Sequence, residues 1–378
     1  MKNKFLVLLL ILFYGVFIVN AQHTYVFVGS YNFSKSEDTA GIFVLELNEK
    51  NGQLHQITSV KNVLNPSFLT LSQNGKFLYA CTDTKTPNAG SVSSYEFNPS
   101  TKKLTFINSQ KTNGENPVYL SVNKNEKWLT TANYNDGSVS VFSLNENGSI
   151  HPINQFISFK DSSINKERQS SSHIHSTIFS PNEDFLFLPD LGADKIRCFQ
   201  FDSNKNQPLI ETQFPNTNTT LGSGPRHFTF HPNGKFAYCI EELSGTVSAY
   251  NYKNGKLDSL QRIRTHSKKY DSVLSSADIH ISPDGKYLYA SNRNIENNIA
   301  IYQIQENGTL KSIGHQSTFG TIPRNFAMNK NGKFLIVANQ KSGNMVVFKR
   351  NKKTGLLKKI KQNNIVLKNP SCVQIYQY

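Results

Sequence analysis

The sequence is poor in cysteine and has no long apolar run after its first residues. Its four cysteines are Cys81, Cys198, Cys239 and Cys372, and no two of them have the Cys-x-x-Cys spacing. This pattern argues against a cysteine metal site, and Cys81 and Cys239 lie within apolar runs, as buried thiols do. After residue 21 no stretch approaches the ~20 apolar residues that a membrane-spanning helix needs. We therefore expect no stable membrane insertion of the mature chain.

The first residues are the exception. MKNKFLVLLLILFYGVFIVNAQ has Lys2 and Lys4, then an apolar run, then small residues up to Ala21. This order is typical of a secretory signal peptide, and we predict cleavage after Ala21 and export to the periplasm or the medium. An uncleaved anchor is the alternative. The mature chain would form one domain over residues 22–378.

Acidic residues are outnumbered, since 41 Lys and Arg stand against 26 Asp and Glu, for a net charge of +15. Such a surplus attracts nucleic acids and acidic surfaces. However, the lysines are spread over turn positions such as Lys76, Lys235 and Lys286, and only KRNKKTG (349–355) approaches a cluster. No nucleic-acid recognition motif accompanies the charge. We expect solvated turns and no nucleic-acid partner.

One short turn motif recurs along the chain. It reads NGKF at 74, NEKW at 125, NEDF at 182, NGKF at 233, DGKY at 284 and NGKF at 331. An apolar run follows each turn, and a second turn then leads to an alternating segment such as SVSVFSL or TVSAYNY, which predicts β-strands. Repeats of this length, with about four strands each, are typical of propeller blades.

The two ends of the chain supply one further blade. NPSCVQIY (369–376) matches NPSFLTLS (65–72), which opens the first complete repeat, and YVFVGSYN (25–32) resembles the second strand of a blade. We therefore predict an all-β fold, a seven-bladed β-propeller closed by N- and C-terminal strands that share one blade. Closure hides the strand edges through which sheets associate, so we expect a monomer.

The repeat alignment brings two sets of positions to one mouth of the central channel. The first strand of a blade begins just after the proline position, and the antiparallel second strand ends beside it. The residues that begin the first strands are Ser67, Val118, His175, Arg226, Ala277, Arg324 and Ser371. Those that follow the second strands are Asp83, Tyr134, Leu191, Glu242, Arg293 and Gln340. One histidine, three arginines and one glutamate among them carry reactive chemistry.

Three arginines at one mouth favour an anionic ligand, because guanidinium groups bind carboxylate or phosphate bidentately. A glutamate among them would be ionised and could take a proton from water, while a histidine could supply one. The alternative for the pair Arg226 and Glu242 is a plain salt bridge between blades.

The other histidines are less informative. His173 and His175 form HIH, which resembles a metal-ligand pair, but no carboxylate is evidently placed to complete such a site. We therefore expect no metal and no other cofactor. His231, in a turn, and His280, on a strand, are interpreted as structural residues, with His280 in the core.

Three segments resemble those of a known family. They are RQSSSHIHSTIFSPNEDFLFLPDLGADKI (168–196), GPRHFTFHPNGKFAYCIEELSGTVSAY (224–250) and SADIHISPDGKYLYASNRNIENNIAIY (276–302). They are similar to the seven-bladed lactonase family, which includes propeller-type 6-phosphogluconolactonases and carboxy-cis,cis-muconate cyclases. The resemblance extends over essentially the whole mature chain. It implies an enzyme that hydrolyses an anionic sugar lactone without a cofactor, or one that runs the reverse cyclisation.

The resemblance also implies roles for single residues. The family's active-site residues correspond to the HIH histidine, Arg226, Glu242 and Arg293. We assign the catalytic histidine to His175, which shares the repeat position of Arg226, and His173 is the alternative. In this hypothesis the arginines bind the anion and polarise the ester carbonyl. Glu242 activates water, and His175 protonates the leaving alkoxide or orients the water.

Substrate binding is assigned to three further residues at this mouth, His173, His227 and Arg324. The chain departs from the family in GENPVYLSV (114–122), where Val118 and Tyr119 replace a Cys-His pair. Two alternatives to hydrolysis stay open at this point. One is a muconate-type cyclase, and the other is an exported, non-catalytic propeller that binds an acidic ligand.

Overall fold

A computed structural model of the chain describes residues 22–32, 40–82, 90–267, 274–361 and 365–378, and these residues form β-strands without any helix. The predicted signal peptide, residues 1–21, lies outside the described residues, as does Asp83. The described residues include no helix long and apolar enough to cross a membrane.

Seven sheets of four or five antiparallel strands form the blades of a ring. The first blade contains β1 (Thr24–Ser30), β2 (Ala40–Leu47) and β3 (Leu54–Lys61). The second contains β4 (Pro66–Leu71), β5 (Phe77–Thr82), β6 (Ser91–Asn98) and β7 (Lys103–Lys111). The third contains β8 (Pro117–Val122), β9 (Trp128–Asn133), β10 (Ser138–Leu144) and β11 (Ile150–Ser158).

The fourth blade is the irregular one, with β12 (Ile178–Phe179), β13 (Phe185–Asp190), β14 (Lys195–Phe201), β15 (Leu209–Glu211) and β16 (Thr217–Asn218). The fifth contains β17 (Pro225–Phe230), β18 (Phe236–Glu241), β19 (Thr246–Lys253) and β20 (Lys256–Arg264). The sixth contains β21 (Ser276–Ile281), β22 (Tyr287–Asn292), β23 (Asn298–Ile304) and β24 (Leu310–Ser317). The seventh contains β25 (Pro323–Met328), β26 (Phe334–Asn339), β27 (Asn344–Arg350) and β28 (Leu357–Lys359).

The last strand, β29 (Pro370–Gln377), pairs with β1 and becomes the innermost strand of the first blade. The antiparallel register runs from Thr24 opposite Gln377 to Ser30 opposite Pro370. This pairing gives β1 the neighbour that its sheet would otherwise lack, and it closes the ring. The predicted seven-bladed fold and its closure by both chain ends are confirmed.

The repeat turns all use a left-handed residue. Four of them place glycine there, for which positive φ costs little. Glu126 and Glu183 occupy the same place in the other two, with φ of 58° and 60°, at a cost of roughly 1–2 kcal/mol for a residue with a side chain. Each carboxylate offsets part of that cost by accepting an N–H from the preceding repeat turn, Glu126 from Asn74 and Glu183 from Lys124. The two glutamates thereby tie adjacent blades together.

The apolar core lies between adjacent blades. Tyr238 and Ile240 of the fifth blade pack with Leu288 and Tyr302 of the sixth, for example. All four cysteines are buried and form no disulfide among the described residues, which agrees with the interpretation of Cys81 and Cys239 as buried thiols. Because the apolar side chains face neighbouring sheets, the ends of the innermost strands are left to carry polar residues around the channel.

Candidate active site

A repeated β-bulge builds the mouth of the channel. In six blades the pairing register shifts just after the start of the innermost strand. The shifts lie between Pro66 and Phe68, Pro117 and Tyr119, Pro225 and His227, Ser276 and Ile279, Pro323 and Asn325, and Pro370 and Cys372. The residue within the shift is left out of the ladder, and a bulge re-aims its side chain. Arg226 and Arg324 are such residues. The backbone at these predicted mouth positions therefore departs from regular strand pairing, and this departure redirects their side chains.

Glu242 lies at the centre of the cluster and is almost fully buried, with 6% of its side chain exposed. Its Oε2 accepts a hydrogen bond from Nε of Arg226 at 2.9 Å and forms an ion pair with Nη2 of Arg293 at the same distance. Its Oε1 accepts a hydrogen bond from Nη2 of Arg168 at 2.7 Å. The alignment of repeats correctly brought Arg226, Glu242 and Arg293 together.

Arg168 was missed by the repeat alignment, because it lies in the connection between β11 and β12 and has no counterpart in other blades. Its guanidinium contacts both Glu242 and the hydroxyl of Tyr134, the latter at 3.2 Å. With 43% of its side chain exposed, it is far more open to solvent than Arg226 or Arg293. Its signal in the sequence is that it opens the segment 168–196, which carries part of the family resemblance.

The three guanidinium groups decide the charge of Glu242. Burial works to raise the pKa of its carboxyl, but Arg293, Arg226 and Arg168 hold that pKa well below the usual range. Burial and the neighbouring Arg293 lower the pKa of Arg226 to about 9, so Arg226 is still charged at neutral pH. The cluster therefore carries a carboxylate and a surplus of positive charge.

Both histidines of the HIH segment contact Tyr134. The ring of His173 stacks on the tyrosine ring at 4.5 Å between centroids, and its Nδ1 donates to the Tyr134 carbonyl at 2.7 Å. The His175 ring lies 5.3 Å from the same tyrosine. Nδ1 of His175 is buried without a hydrogen-bond partner among the described residues. Burial, followed by the charge of Arg226, lowers the pKa of His175 well below its usual value, so His175 is neutral.

The HIH segment has little regular strand pairing, because β12 is only two residues long and a single bridge joins Ile174 to Asp190. Two backbone hydrogen bonds, from His175 to Pro189 and from Leu191 to His173, are supplemented by side chains. Asp190 accepts the backbone N–H of His173 at 2.8 Å and is itself bound by Arg197. Gly192 follows in the DLG motif, where a Cβ would lie 1.8 Å from the carbonyl oxygen of Ser171. Only glycine allows this close approach of backbones.

The other residues assigned to substrate binding are placed differently. His227 is buried behind Arg226, from which its Nε2 accepts a hydrogen bond at 3.0 Å, while its Nδ1 lies 2.7 Å from Asp278. Arg324 lies at the mouth, where its Nη2 donates to the hydroxyl of Tyr31 at 2.9 Å. His227 thus supports the cluster from within, whereas Arg324 lies at its rim.

The sequence predicts structural roles for His280 and His231. His280 is bonded to Asp278, but 39% of its side chain is exposed, so its interpretation as a core residue is wrong. The cause is its position near the end of β21, where the side chain reaches a cavity of about 570 Å³ formed by the far ends of the innermost strands. The structure places His231 as expected, bonded to the Gly285 carbonyl of the next blade's turn. The described residues hold no group of three or more potential metal ligands.

Comparison with known proteins places this site in context. A family model described as "Lactonase, 7-bladed beta-propeller" matches residues 25–375. A 6-phosphogluconolactonase of Formosa agariphila is 44% identical over 354 residues, covering 93% of this chain and 99% of the relative. A 6-phosphogluconolactonase of Bacillus subtilis is 30% identical over 352 residues, covering 92% and 97%. Among solved structures, the periplasmic gluconolactonase of Pseudomonas aeruginosa has a TM-score of 0.88 at 30% identity, over 93% of this chain and 99% of that one.

The fold is a closed ring of seven blades, and a charged cluster lies at one mouth of its channel. The protein is therefore a β-propeller with its candidate active site at that mouth. The chain belongs to the seven-bladed β-propeller lactonase family. It is accordingly a lactone-hydrolysing enzyme. The family, the fold and the reaction class that the sequence predicted are confirmed.

The buried His227 makes the stability of the protein depend on pH. Burial and then Arg226 lower its pKa from 6.5 to about 4, so it is neutral in the folded protein where it would be protonated in the unfolded chain. We expect the free energy of unfolding to fall as the pH drops from about 6.5 to about 4, by on the order of 3 kcal/mol from this residue alone. Urea unfolding at several pH values measures this slope.

The matched variant is His227→Asn, which keeps a donor near Asp278 but does not titrate. Its stability should depend less on pH than that of the wild type over the same interval, while the titration of His175 is shared by both proteins. Equal slopes for the two proteins would contradict the assignment.

Proposed function

We propose that the chain hydrolyses the ring ester of an anionic sugar lactone at the mouth built around Glu242. The observation that carries this proposal is the half-exposed guanidinium of Arg168, a cation at the mouth in contact with the buried carboxylate. 6-Phosphogluconolactone is the first candidate substrate, because relatives that align over nearly their whole length are named 6-phosphogluconolactonases. A small anion of this kind suits a concave site with a few convergent polar groups.

In the proposed reaction Glu242 takes a proton from the water that attacks the ester carbon. With all three arginines in place it is a weak base, because its pKa is held well below the usual range. A substrate phosphate or carboxylate competes with Glu242 for Arg168. When Arg168 turns to the substrate, Oε1 of Glu242 loses its hydrogen bond, its basicity rises and the atom is left to accept the proton of water.

Charge develops on the carbonyl oxygen as water attacks. Nε of Arg293 is buried and has no hydrogen-bond acceptor among the described residues, so its N–H is available to the oxyanion. Arg226 has less freedom, since its Nε and Nη1 are engaged by Glu242, His227 and the Ala277 carbonyl. In this proposal Arg293 stabilises the oxyanion, and Arg226 fixes Glu242 and adds positive charge.

His175 orients the water and does not act as a cationic acid. Its lowered pKa leaves it neutral at neutral pH, and its unpartnered Nδ1 is a site for one hydrogen bond with water. When the ring C–O bond breaks, the proton that Glu242 took from water passes to the leaving alkoxide. The product is a hydroxy acid, and the enzyme returns to its starting state.

Glu242→Gln should nearly abolish turnover. The substitution keeps the shape of the side chain but removes its charge and its basicity, and loss of a general base lowers kcat by roughly 10²–10⁴-fold. Acid release from 6-phosphogluconolactone, gluconolactone and a muconolactone, corrected for spontaneous hydrolysis, measures the effect.

Because the substitution leaves buried guanidinium groups without their anion, thermal unfolding must accompany the assay, and kcat is compared for folded protein only. Wild-type kcat in folded Glu242→Gln would eliminate Glu242 as the base. Stabilisation of the wild type by a lactone that is never consumed would instead identify a binding propeller. Conversion of a muconate to its lactone would identify a cyclase.

Arg168→Gln should separate charged from uncharged substrates. One charge-assisted hydrogen bond contributes about 1.5–3 kcal/mol, so we expect kcat/KM for 6-phosphogluconolactone to fall roughly 10- to 100-fold. The uncharged gluconolactone should lose much less. Lys166→Gln, an exposed neighbour of Arg168 in the same connection, is the control for loss of a positive charge near the mouth. An equal loss for both lactones in Arg168→Gln would contradict a role in anion binding.

We also propose that the chain is exported, as its N-terminal segment indicates. A solved relative is a periplasmic gluconolactonase, which supports a lactonase acting outside the cytoplasm. Cell fractionation, followed by determination of the N-terminus, should find a mature protein that begins at Gln22. A cytoplasmic protein that keeps residues 1–21 would contradict the proposal.

A further inference from the structure

A buried carboxylate behind the active site joins three blades. Asp278 lies within the bulge at the start of β21 in the sixth blade, and 2% of the residue is exposed. Its Oδ1 lies 2.7 Å from Nδ1 of His227 in the fifth blade. Its Oδ2 accepts the side-chain amide of Asn325 and the backbone N–H of Phe326 in the seventh blade, at 2.6 and 3.1 Å. His280 of its own strand donates to the same oxygen at 2.9 Å.

Two amide N–H groups, of Asn325 and Phe326, and the imidazole nitrogens of His227 and His280 surround the carboxyl of Asp278. Burial on its own would raise the pKa of Asp278, but His280 and His227 hold that pKa well below the usual range, so the group is a carboxylate. An ionised carboxylate has no proton to share. The hydrogen between Asp278 and His227 therefore lies on Nδ1 of the histidine.

This tautomer determines whether Nε2 of His227 presents a lone pair or an N–H group to Arg226. With Nδ1 protonated and the ring neutral, Nε2 has a free lone pair. Nη1 of Arg226 lies 3.0 Å from Nε2 and has only hydrogens to donate, so it donates to that lone pair. In the other tautomer two N–H groups would face each other across this distance. Nη1 also donates to the Ala277 carbonyl, at 2.6 Å, which fixes the same end of the guanidinium.

Arg226 in turn contacts Glu242 through Nε at 2.9 Å. We infer that Asp278 is a positioning residue for the reaction: it fixes His227 as the Nδ1–H tautomer, and His227 then holds Arg226 against Glu242. The inference rests on the proposed function, because it concerns the orientation of the base in that reaction. The chain of contacts Asp278–His227–Arg226–Glu242 joins the fifth and sixth blades at the channel axis.

Asp278→Asn should disturb this chain without changing the size of the side chain. If the new amide group faces His227, it forces the histidine into the other tautomer, and its N–H then opposes Arg226. If the amide faces the other way, it meets the N–H groups of Asn325 and Phe326. Loss of a hydrogen-bond partner that orients a metal-bound histidine costs roughly 10- to 100-fold, and we expect a loss of the same order in kcat here, with a smaller change in KM.

A double-mutant cycle tests whether Asp278 affects kcat through His227 or only stabilises the fold. His227→Phe removes both ring nitrogens and should lower kcat to a similar degree. Once His227 is gone, Asp278→Asn should have almost no further effect on kcat, because residues that act through one another are not additive. If the double variant loses the product of the two single losses, Asp278 does not act through His227, and the inference is overturned.

The matched control is Glu241→Gln. Glu241 is also a fully buried carboxylate, but it bonds to Thr246, Ser248 and Arg262 and faces away from the cluster. Its variant should unfold at a lower temperature while folded protein keeps the wild-type kcat. Wild-type kcat in folded Asp278→Asn, with only the unfolding temperature lowered, would show that Asp278 is structural in the same way.

Nitrogen NMR of the histidine rings tests the tautomer without any substrate. In the wild type we expect the His227 signals of a neutral ring with hydrogen on Nδ1, and in Asp278→Asn a shift toward the other tautomer. Hydrogen on Nε2 of the wild-type ring would overturn the inference even for an active lactonase. The expected tautomer in a wild-type protein that hydrolyses no lactone would confirm the contacts from Asp278 to Arg226 but remove the proposed function, and with it the role of Asp278 in that reaction.

Discussion

Pairing of the last strand with the first is the constraint on which the rest of the structure depends. The residues around Glu242 come from different parts of the ring, Arg226 from the fifth blade, Arg293 from the sixth and Arg168 from the connection into the fourth. No single sheet holds them. Their distances are fixed because each blade packs on its neighbours around a closed circle, and the ladder between β1 and β29 completes that circle. An open ring would leave an unpaired strand edge and a mouth without defined width.

Within this frame one buried carboxylate organises the charges. Three guanidinium groups packed together without an anion would repel one another, and burying them would cost several kcal/mol each. Glu242 removes much of that cost by forming ion pairs with all three. The same arrangement suppresses its basicity in the free protein. In the proposed function a substrate anion takes Arg168 away from Glu242. Charge compensation and suppressed basicity are therefore linked, because the substrate that needs Glu242 as a base also restores its basicity.

The support behind the cluster is as specific as the cluster itself. Asp278 and His227 are buried, and their hydrogen bonds leave one consistent placement of the protons. Near His175, the HIH segment lacks regular strand pairing, and Asp190, Arg197 and Gly192 help to hold it in place. Arg226 comes from a bulge, whereas Glu242 and Arg293 directly follow second strands, and these buried networks fix the surroundings of the cluster. Rigid placement of this kind is what a reaction with developing charge requires.

Sequence periodicity by itself determined the blade count, the shared closing blade and the meeting of Arg226, Glu242 and Arg293, because each of these follows from strand alternation and the spacing of repeats. Arg168 lay beyond that reasoning, since it belongs to a connection that no other blade shares. So did the role of His227, which adjoins Arg226 in sequence but faces Asp278 of the next blade. The neutral states of His175 and His227 also came only from the tertiary structure. They depend on burial and on charges from several blades, and distances across the channel are not encoded in any local pattern.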